Sequence, residues 1–357
     1  MKRKENIKEL LDYLQTTAEK ELQFDEEAIV TAYQKNNDNQ SLAIKILSIF
    51  GGLMASLAFL GFLFIAGLYD SDIGLLIFGT LCIAGAIWIN KAYDKIIIDT
   101  LSVSSFIIGF ILIGFGFSEL EVNVNIVSII FIIISLCSLI IVQNYILSFI
   151  AVLIINGSIL AIILSNKSYD LIHICVAVLV LIITYFFLKE AKIITASKAL
   201  FRLYNPIRIG LIISFLSGLV IFGKKGILPI SPDYIWLSSV IIISAIMYLL
   251  SNLFGILNIT NIQHKTGIYV LSILLLLPTV LSPAISGAIL IVLLSFLVNY
   301  KTGLVIGIIA FIYFISQYYY DLHFTLLTKS ILLFSSGVFF ILLYLLTYKK
   351  LTSNEKI

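Results

Sequence analysis

Charge is scarce in this chain of 357 residues: Asp, Glu, Lys and Arg make up 12% of it, whereas hydrophobic residues make up 60%. Soluble domains carry about 25% charged and about 45–50% apolar residues. A water-solvated core has no room for this apolar excess, so the composition excludes an ordinary soluble domain. The net charge of +3 is small and the basic residues are spread out, which excludes a nucleic-acid-binding surface.

Cysteine and catalytic motifs are also scarce. The 3 cysteines lie within apolar runs, with no CxxC pair and no histidine at ligand spacing, so neither a disulfide framework nor a metal site is supported. The chain has no GxSxG, no HExxH and no phosphate-binding glycine loop. We therefore expect a non-enzymatic protein with no cofactor and no metal.

What the chain has in abundance is long apolar runs separated by short polar breaks. A helix needs about 20 such residues to cross the hydrocarbon core of a bilayer. These runs predict an all-α fold, a polytopic transmembrane bundle of ten to twelve helices, with twelve preferred. The runs are 46–69, 73–90, 96–117, 126–142, 145–165, 171–188, 208–223, 235–258, 268–281, 284–299, 304–320 and 324–347.

One pair of runs, 268–281 and 284–299, is short and contains Pro278 and Pro283. Irregular backbone is allowed at membrane depth where protein buries it. The pair is therefore either two tilted crossings or a re-entrant hairpin that does not fully cross.

The first 44 residues have a different pattern from the rest. Ile7, Leu10, Leu11 and Leu14 recur at i, i+3, i+4 and i+7, which indicates one helical face. A second short helix is expected from Asp25, a suitable N-cap. Residues 1–44 are predicted to form a soluble amphipathic hairpin in the cytoplasm. It either rests on the membrane domain or the bilayer surface, or docks a partner.

The distribution of Lys and Arg orients the predicted crossings. With the N-terminus inside, twelve basic residues fall in internal connections and the C-terminal tail, and four fall in external ones: Lys167, Lys224, Lys225 and Lys329. Cytoplasmic loops carry the excess of Lys and Arg, so both termini are predicted to be cytoplasmic. The internal set is Lys91, Lys95, Lys189, Lys192, Lys198, Arg202, Arg208, Lys265, Lys301, Lys349, Lys350 and Lys356.

The longest internal connection divides the membrane part into two groups of six predicted helices. The first group is 45–188 and the second is 208–347. Between them lies the basic cytoplasmic connection 189–207, and 348–357 forms a cytoplasmic tail. Carriers built from two six-helix halves have the same number of helices, but the number of helices alone does not assign a function.

A polar cluster interrupts the apolar pattern between Ile315 and Phe334. Tyr319 and Tyr320 end one run, Asp321 is placed to cap the following helix, and Lys329 lies two turns further on. One interpretation is an interfacial tyrosine belt with a cap and a snorkelling lysine. The other is a small polar site at the outer mouth, in which Lys329 binds an anionic group.

Asn156 is the deepest strongly polar residue in the predicted crossings. It is either a contact for a substrate or ion, or a donor and acceptor that joins two helices beside Gly157 and Ser158.

The membrane part of the chain resembles an uncharacterised bacterial family of multi-pass membrane proteins, domain of unknown function 4401, most specifically over Leu274–Leu346. The resemblance rests on the Pro278/Pro283 hairpin, the Asn299-Tyr300-Lys301 turn, and the YYYDL and LLTKS motifs. It implies a bacterial inner-membrane location and no particular activity. The positions that it marks as characteristic are Tyr319, Tyr320, Leu322, Lys329 and Ser330.

Three functions fit this sequence. The first is a carrier or exporter of a small or lipid-like molecule, which requires a water-filled cavity lined by Asn156, tyrosines and Lys329. The second is a scaffold or sensor that acts through another membrane or periplasmic protein, which fits a solid bundle. The third is a membrane-embedded transferase, which requires groups such as Asp233, Asp321 and His323 to converge. The lipid bilayer is a partner in all three.

Overall fold

The computed structural model describes residues 42–92, 96–223, 228–229, 231, 234–257 and 261–321, with scattered positions from 327 to 345. Within these residues the regular structure is α-helix and short 3-10 turns, with no strand. The prediction of an all-α bundle is therefore confirmed. The α-helices are α1 (Leu42–Ile65), α2 (Asp72–Ala92), α3 (Ile96–Glu119), α4 (Val124–Ile141), α5 (Tyr145–Ser165), α6 (Leu171–Leu188), α7 (Glu190–Ala196), α8 (Lys198–Gly223), α9 (Ile235–Ile256), α10 (Ile262–Leu276), α11 (Pro283–Leu297) and α12 (Lys301–Asp321).

Most of these helices have the length and composition of membrane spans. Among the described residues, 8 helices are long and apolar enough to cross a bilayer: α2, α3, α4, α5, α6, α8, α9 and α12. The chain is accordingly a membrane protein. The hairpin predicted for 1–44 falls almost entirely outside the described residues, and so does most of the run predicted for 324–347.

Asparagine side chains begin several of the helices. The Oδ1 atom of Asn144 accepts a hydrogen bond from the backbone N–H of Ile146 at 2.9 Å, which makes the turn between α4 and α5 tight. Asn123 and Asn261 cap α4 and α10 in the same way, at 2.8 and 2.9 Å. These caps satisfy backbone donors that have no partner within the helix, and they need only a few residues between successive helices.

The predicted connection 189–207 is largely helical. Helix α7 occupies its first half, and α8 begins at Lys198 instead of at 208. The helices are separated at Ser197, whose backbone is extended and whose hydroxyl accepts from the Leu200 N–H at 3.1 Å. Helix α8 then runs through Pro206. Proline removes one helical hydrogen bond, and the neighbouring residues Tyr204 and Arg208 are both buried.

The proline-containing pair consists of two short helices. Helices α10 and α11 have 15 residues each, and a 3-10 turn, Leu277–Leu281, joins them. At a rise of 1.5 Å per residue each helix is about 22 Å long, which is less than the roughly 30 Å of the hydrocarbon core. Helix α11 is buried along much of its length by α6, α8, α9 and α12. Protein therefore surrounds the short helix.

The chain divides into two compact units, Met1–Gly116 and Phe117–Ile357. In the first unit, α2 and α3 approach closely at glycine. A Cβ atom added to Gly79 would lie 2.9 Å from the carbonyl oxygen of Gly109, and one added to Gly109 would lie 2.7 Å from that of Gly79. Small residues of this kind allow membrane helices to pack backbone against backbone, where the hydrophobic effect supplies no attraction.

The second unit is built around α11. Gly287 of this helix faces Leu219 and Phe215 of α8, so closely that a Cβ atom would overlap the Leu219 side chain. The surrounding core contains Val180 and Ile183 of α6, together with Ile242 of α9.

The α2–α3 crossing yields a test with a matched control. We expect Gly79→Ala to destabilise the protein by about 1–3 kcal/mol, since its Cβ would meet the Gly109 carbonyl and the Ile113 side chain. Gly85→Ala on the same helix meets nothing within 4 Å, so it should be neutral or slightly stabilising. Thermal unfolding in detergent measures both, and equal midpoints for the two variants would contradict the close approach.

Candidate functional site

Arg208 is a buried cation in the apolar part of α8, with 5% of its surface exposed. Its Nη1 donates to the Oε1 atom of Glu190 at 3.2 Å, and its Nη2 donates to the Oδ1 atom of Asn205 at 2.7 Å. Glu190 begins α7 and Asn205 lies one turn before Arg208 on α8. An ionised group is costly to bury unless charged and polar partners accompany it. The break between α7 and α8 places those partners within reach.

Aromatic rings surround the same guanidinium. Its carbon atom lies 3.6 Å from the ring centre of Tyr300, 4.8 Å from that of Tyr204 and 5.5 Å from that of Phe187. The negative face of an aromatic ring attracts a cation, and the attraction is stronger away from water. Tyr204 is itself fixed, because its hydroxyl donates to the Phe186 carbonyl at 2.9 Å. We call Phe187, Glu190, Tyr204, Asn205, Arg208 and Tyr300 the Arg208 cluster.

The turn between α11 and α12 brings Tyr300 to this cluster. Asn299 adopts a left-handed backbone with φ 54°. The Tyr300 N–H then bonds back to the Ser295 carbonyl at 2.8 Å, which closes the end of α11 in the manner of a Schellman motif. Burial raises the pKa of the Tyr300 phenol, while nearby Arg208 opposes that rise. The phenol therefore stays neutral beside the guanidinium.

Glycine at position 303 leaves room for the Tyr300 ring. A Cβ atom there would lie 2.5 Å from a ring carbon of Tyr300 and 2.5 Å from the Ser295 hydroxyl. The start of α12 can therefore pass close to the ring only without a side chain at this position.

The Arg208 cluster lies at one end of the second unit, which we call the basic end. The α4–α5 turn, the end of α6, the start of α8 and the α11–α12 turn meet there, and Arg202 reaches Gln143 at 3.5 Å. At the opposite end, Asn125 bonds Asn166 at 3.0 Å, and the Ser231 N–H bonds Asp170 at 3.2 Å. The exposed cations of the basic end are Lys189, Lys192, Lys198, Arg202 and Lys301.

The predicted tyrosine–lysine site is described only in part. Tyr319 is half-buried, Tyr320 is 77% exposed, and their rings meet edge to face at 5.6 Å. Asp321 ends α12, but its side chain lies outside the described residues, as does Lys329. The outer-mouth site therefore stays a prediction.

Asn156 bonds its own helix. Its amide nitrogen donates to the Val152 carbonyl at 2.9 Å, one turn earlier on α5, and the side chain is half-buried. Ser158 is buried while Gly157 is exposed. One N–H of this amide is thus bonded within α5, and the bond to another helix or to a ligand stays a prediction.

The histidines fall in separate places. The Nδ1 atom of His173 lies 2.7 Å from the Ser238 hydroxyl, and both residues are buried between α6 and α9. His264 is exposed on α10, whereas His323 and Asp233, which the transferase hypothesis needs, lie outside the described residues. Among the residues described, no group of three His, Cys, Asp or Glu side chains is arranged to hold a metal ion.

Two apolar grooves run along the second unit. One, of about 600 Å³, is a shallow open surface lined by residues of α10 alone, from Ile262 to Leu274. The other, of about 350 Å³, lies between α8 and α12 and is lined by residues such as Leu216, Val220 and Ile306. Neither is lined by Asn156 or by a residue of the Arg208 cluster.

Sequence reasoning missed the Arg208 cluster because it assigned Arg208 to a loop. The signal was present: an arginine is followed by a long apolar run, and the acid Glu190 precedes it in the same basic segment. Pro206 concealed it, since proline usually marks the start of a helix and not its interior. The Asn299-Tyr300-Lys301 turn was singled out, but its role in placing Tyr300 on Arg208 depends on tertiary contacts.

The comparisons with known proteins give a family and nothing closer. A family model described as Domain of unknown function (DUF4401) matches residues 41–350. No curated protein and no solved structure matches the chain.

The Arg208 cluster yields a double-mutant test. Glu190→Gln removes the carboxylate and leaves a buried cation, so we expect a loss of about 2–3 kcal/mol of stability. Arg208→Met removes that cation. The Arg208→Met substitution should therefore lower the stability of the Glu190→Gln variant by less than it lowers the stability of the unsubstituted protein. Unfolding midpoints of the two single variants and the double variant measure the coupling.

Glu119→Gln, at an exposed position, is the control and should change little. Strictly additive effects of the Glu190 and Arg208 substitutions would contradict the ion pair.

Proposed function

The chain belongs to the DUF4401 family, and since that membership assigns no activity, we propose a function from its own geometry. The protein is a non-enzymatic integral membrane protein that acts as a scaffold or sensor through a protein partner. It lies in the bacterial inner membrane, crosses it many times, and has both termini in the cytoplasm. Its partner is another membrane or periplasmic protein.

The state of Arg208 is the observation that carries this proposal. Ionisable residues within membrane helices commonly mark ion or substrate pathways, and a residue that serves a pathway has to exchange partners with its cargo. Both terminal nitrogens of Arg208 are held by protein groups, and the Tyr300 ring covers its face. This enclosure supports a structural role for the cation and a fixed arrangement of α6, α7, α8 and the α11–α12 turn.

The other polar side chains in the helices support the same conclusion. Asn156 and Asn252 each donate to the carbonyl four residues earlier, and so do hydroxyls such as that of Ser244. A donor that bonds its own backbone is satisfied without a partner from outside the helix. Such a group also has fewer free donors and acceptors with which to bind a transported solute. These bonds favour a solid bundle over an aqueous path.

A carrier of a lipid-like molecule is the second candidate, and the groove between α8 and α12 favours it. With about 350 Å³ and an apolar lining, this groove has the size and chemistry for part of an acyl chain. A water-soluble substrate would find few hydrogen-bonding groups there, because Ser217 and Tyr313 are the polar residues among those that line it.

Thiol accessibility at Asn156 distinguishes a solid bundle from a bundle with a water-filled path. We expect Asn156→Cys, in a background with Cys82, Cys137 and Cys175 replaced by Ala, to resist a membrane-impermeant maleimide in intact vesicles. The same thiol should react after denaturation. Ser168→Cys, at an exposed position in the turn after α5, is the matched control and should react readily.

Rapid labelling of Asn156→Cys would contradict the solid bundle and support a carrier with an aqueous cavity. Protection of that labelling by an added solute would identify the class of cargo.

Reporter fusions test the proposed orientation. We expect a fusion at the C-terminus to be active only with a cytoplasmic reporter, because the basic connections lie on that side. A fusion inserted after Ser168 should be active only with a reporter that functions outside the cytoplasm. The reverse pair of results would overturn the proposed topology.

A further inference from the structure

We propose that the segment Lys189–Arg202, which we call the basic collar, binds the headgroups of anionic phospholipids at the membrane surface. The proposal rests on the membrane orientation given above, and it is independent of whether the protein is a scaffold or a carrier. It depends on the charge that the Arg208 cluster leaves exposed.

The basic collar carries a positive charge that no neighbour within it neutralises. Lys189, Lys192, Lys198 and Arg202 are all exposed. The only acid in the segment is Glu190, and its carboxylate is turned towards Arg208 at 3.2 Å. The ion pair therefore engages the one carboxylate of the segment, and 27% of the Glu190 side chain stays exposed.

The position of α7 fixes the depth of the basic collar relative to the bilayer. This helix has 7 residues and connects α6 to α8, both of which have the length of a membrane span. A segment that joins two antiparallel crossings on one side has to lie at or beyond the bilayer surface. Lipid phosphates are found at that level, so the exposed cations stand where anionic headgroups are available.

Apolar side chains accompany the cations. Leu200 is 37% exposed and Phe201 is 52% exposed, and these residues lie between Lys198 and Arg202 in the first turn of α8. Aromatic and leucine side chains at the boundary of the hydrocarbon, with Lys and Arg beside them, are typical of segments that bind a membrane surface. An acidic soluble partner would account for the cations but would leave Phe201 without a role.

The opposite end of the unit has no comparable surface among the residues described. Lys167 is exposed there, and Asp170 lies three residues away in the same turn.

The test uses the full chain, purified in neutral detergent. Phosphatidylglycerol added to the micelles should raise the thermal unfolding midpoint more than phosphatidylcholine does, and high salt should reduce the difference. The variant K189Q/K192Q/K198Q/R202Q should lose the selectivity, with an apparent phosphatidylglycerol affinity lower by roughly tenfold or more. The conservative variant K189R/K192R/K198R and the control K167Q should keep it.

Each other outcome would overturn the proposal. Equal stabilisation by the two lipids, or full selectivity in the four-site variant, would show that the basic collar does not recognise anionic headgroups. Equal protection by inorganic phosphate would identify a free anion as the ligand instead of a lipid. If the four-site variant unfolds early in phosphatidylcholine as well, the arginine variant and the salt dependence still decide the result.

Discussion

The enclosure of one guanidinium organises the basic end of the second unit. A charge in an apolar bundle is tolerated only when charged, polar and aromatic groups replace its water. Arg208 obtains them from Glu190, Asn205 and the ring of Tyr300. These groups come from α7, α8 and the α11–α12 turn, so the cation holds together segments that are far apart in the chain.

The same requirement explains features that look unrelated in the sequence. The left-handed Asn299 and the bare Gly303 allow Tyr300 to cover the guanidinium. The extended Ser197 ends one helix and caps the next, which lets α7 fold Glu190 back onto α8. Each is a local device that places one group around the buried charge. By engaging Glu190, the cluster also leaves the basic collar with no second acid to pair with its cations.

Lipid as the solvent decides how the remaining polar groups are arranged. In the apolar helices several of them bond their own backbone, as Asn156 and Asn252 do, or a neighbouring helix, as His173 and Ser238 do. Where α2 and α3 of the first unit meet, Gly79 and Gly109 allow the backbones to touch. Packing of small residues replaces the hydrophobic attraction that lipid does not provide.

The sequence by itself determined the class of the protein and the approximate bounds of most helices. A run of about 20 apolar residues has few folded alternatives in lipid, because backbone hydrogen bonds must be satisfied within the segment. It also determined the family resemblance, including the turn at Tyr300. These properties are local, and composition and spacing are sufficient to predict them.

Only the tertiary structure decided what Arg208 does. Within the chain Arg208 and Glu190 look like members of a polar connection with Pro206 between them, and Tyr300 is far away. Whether an arginine side chain faces water or is surrounded by aromatic side chains depends on which helices meet beside it. A linear pattern does not contain that information, because the groups that neutralise a buried charge are brought together by packing and not by spacing.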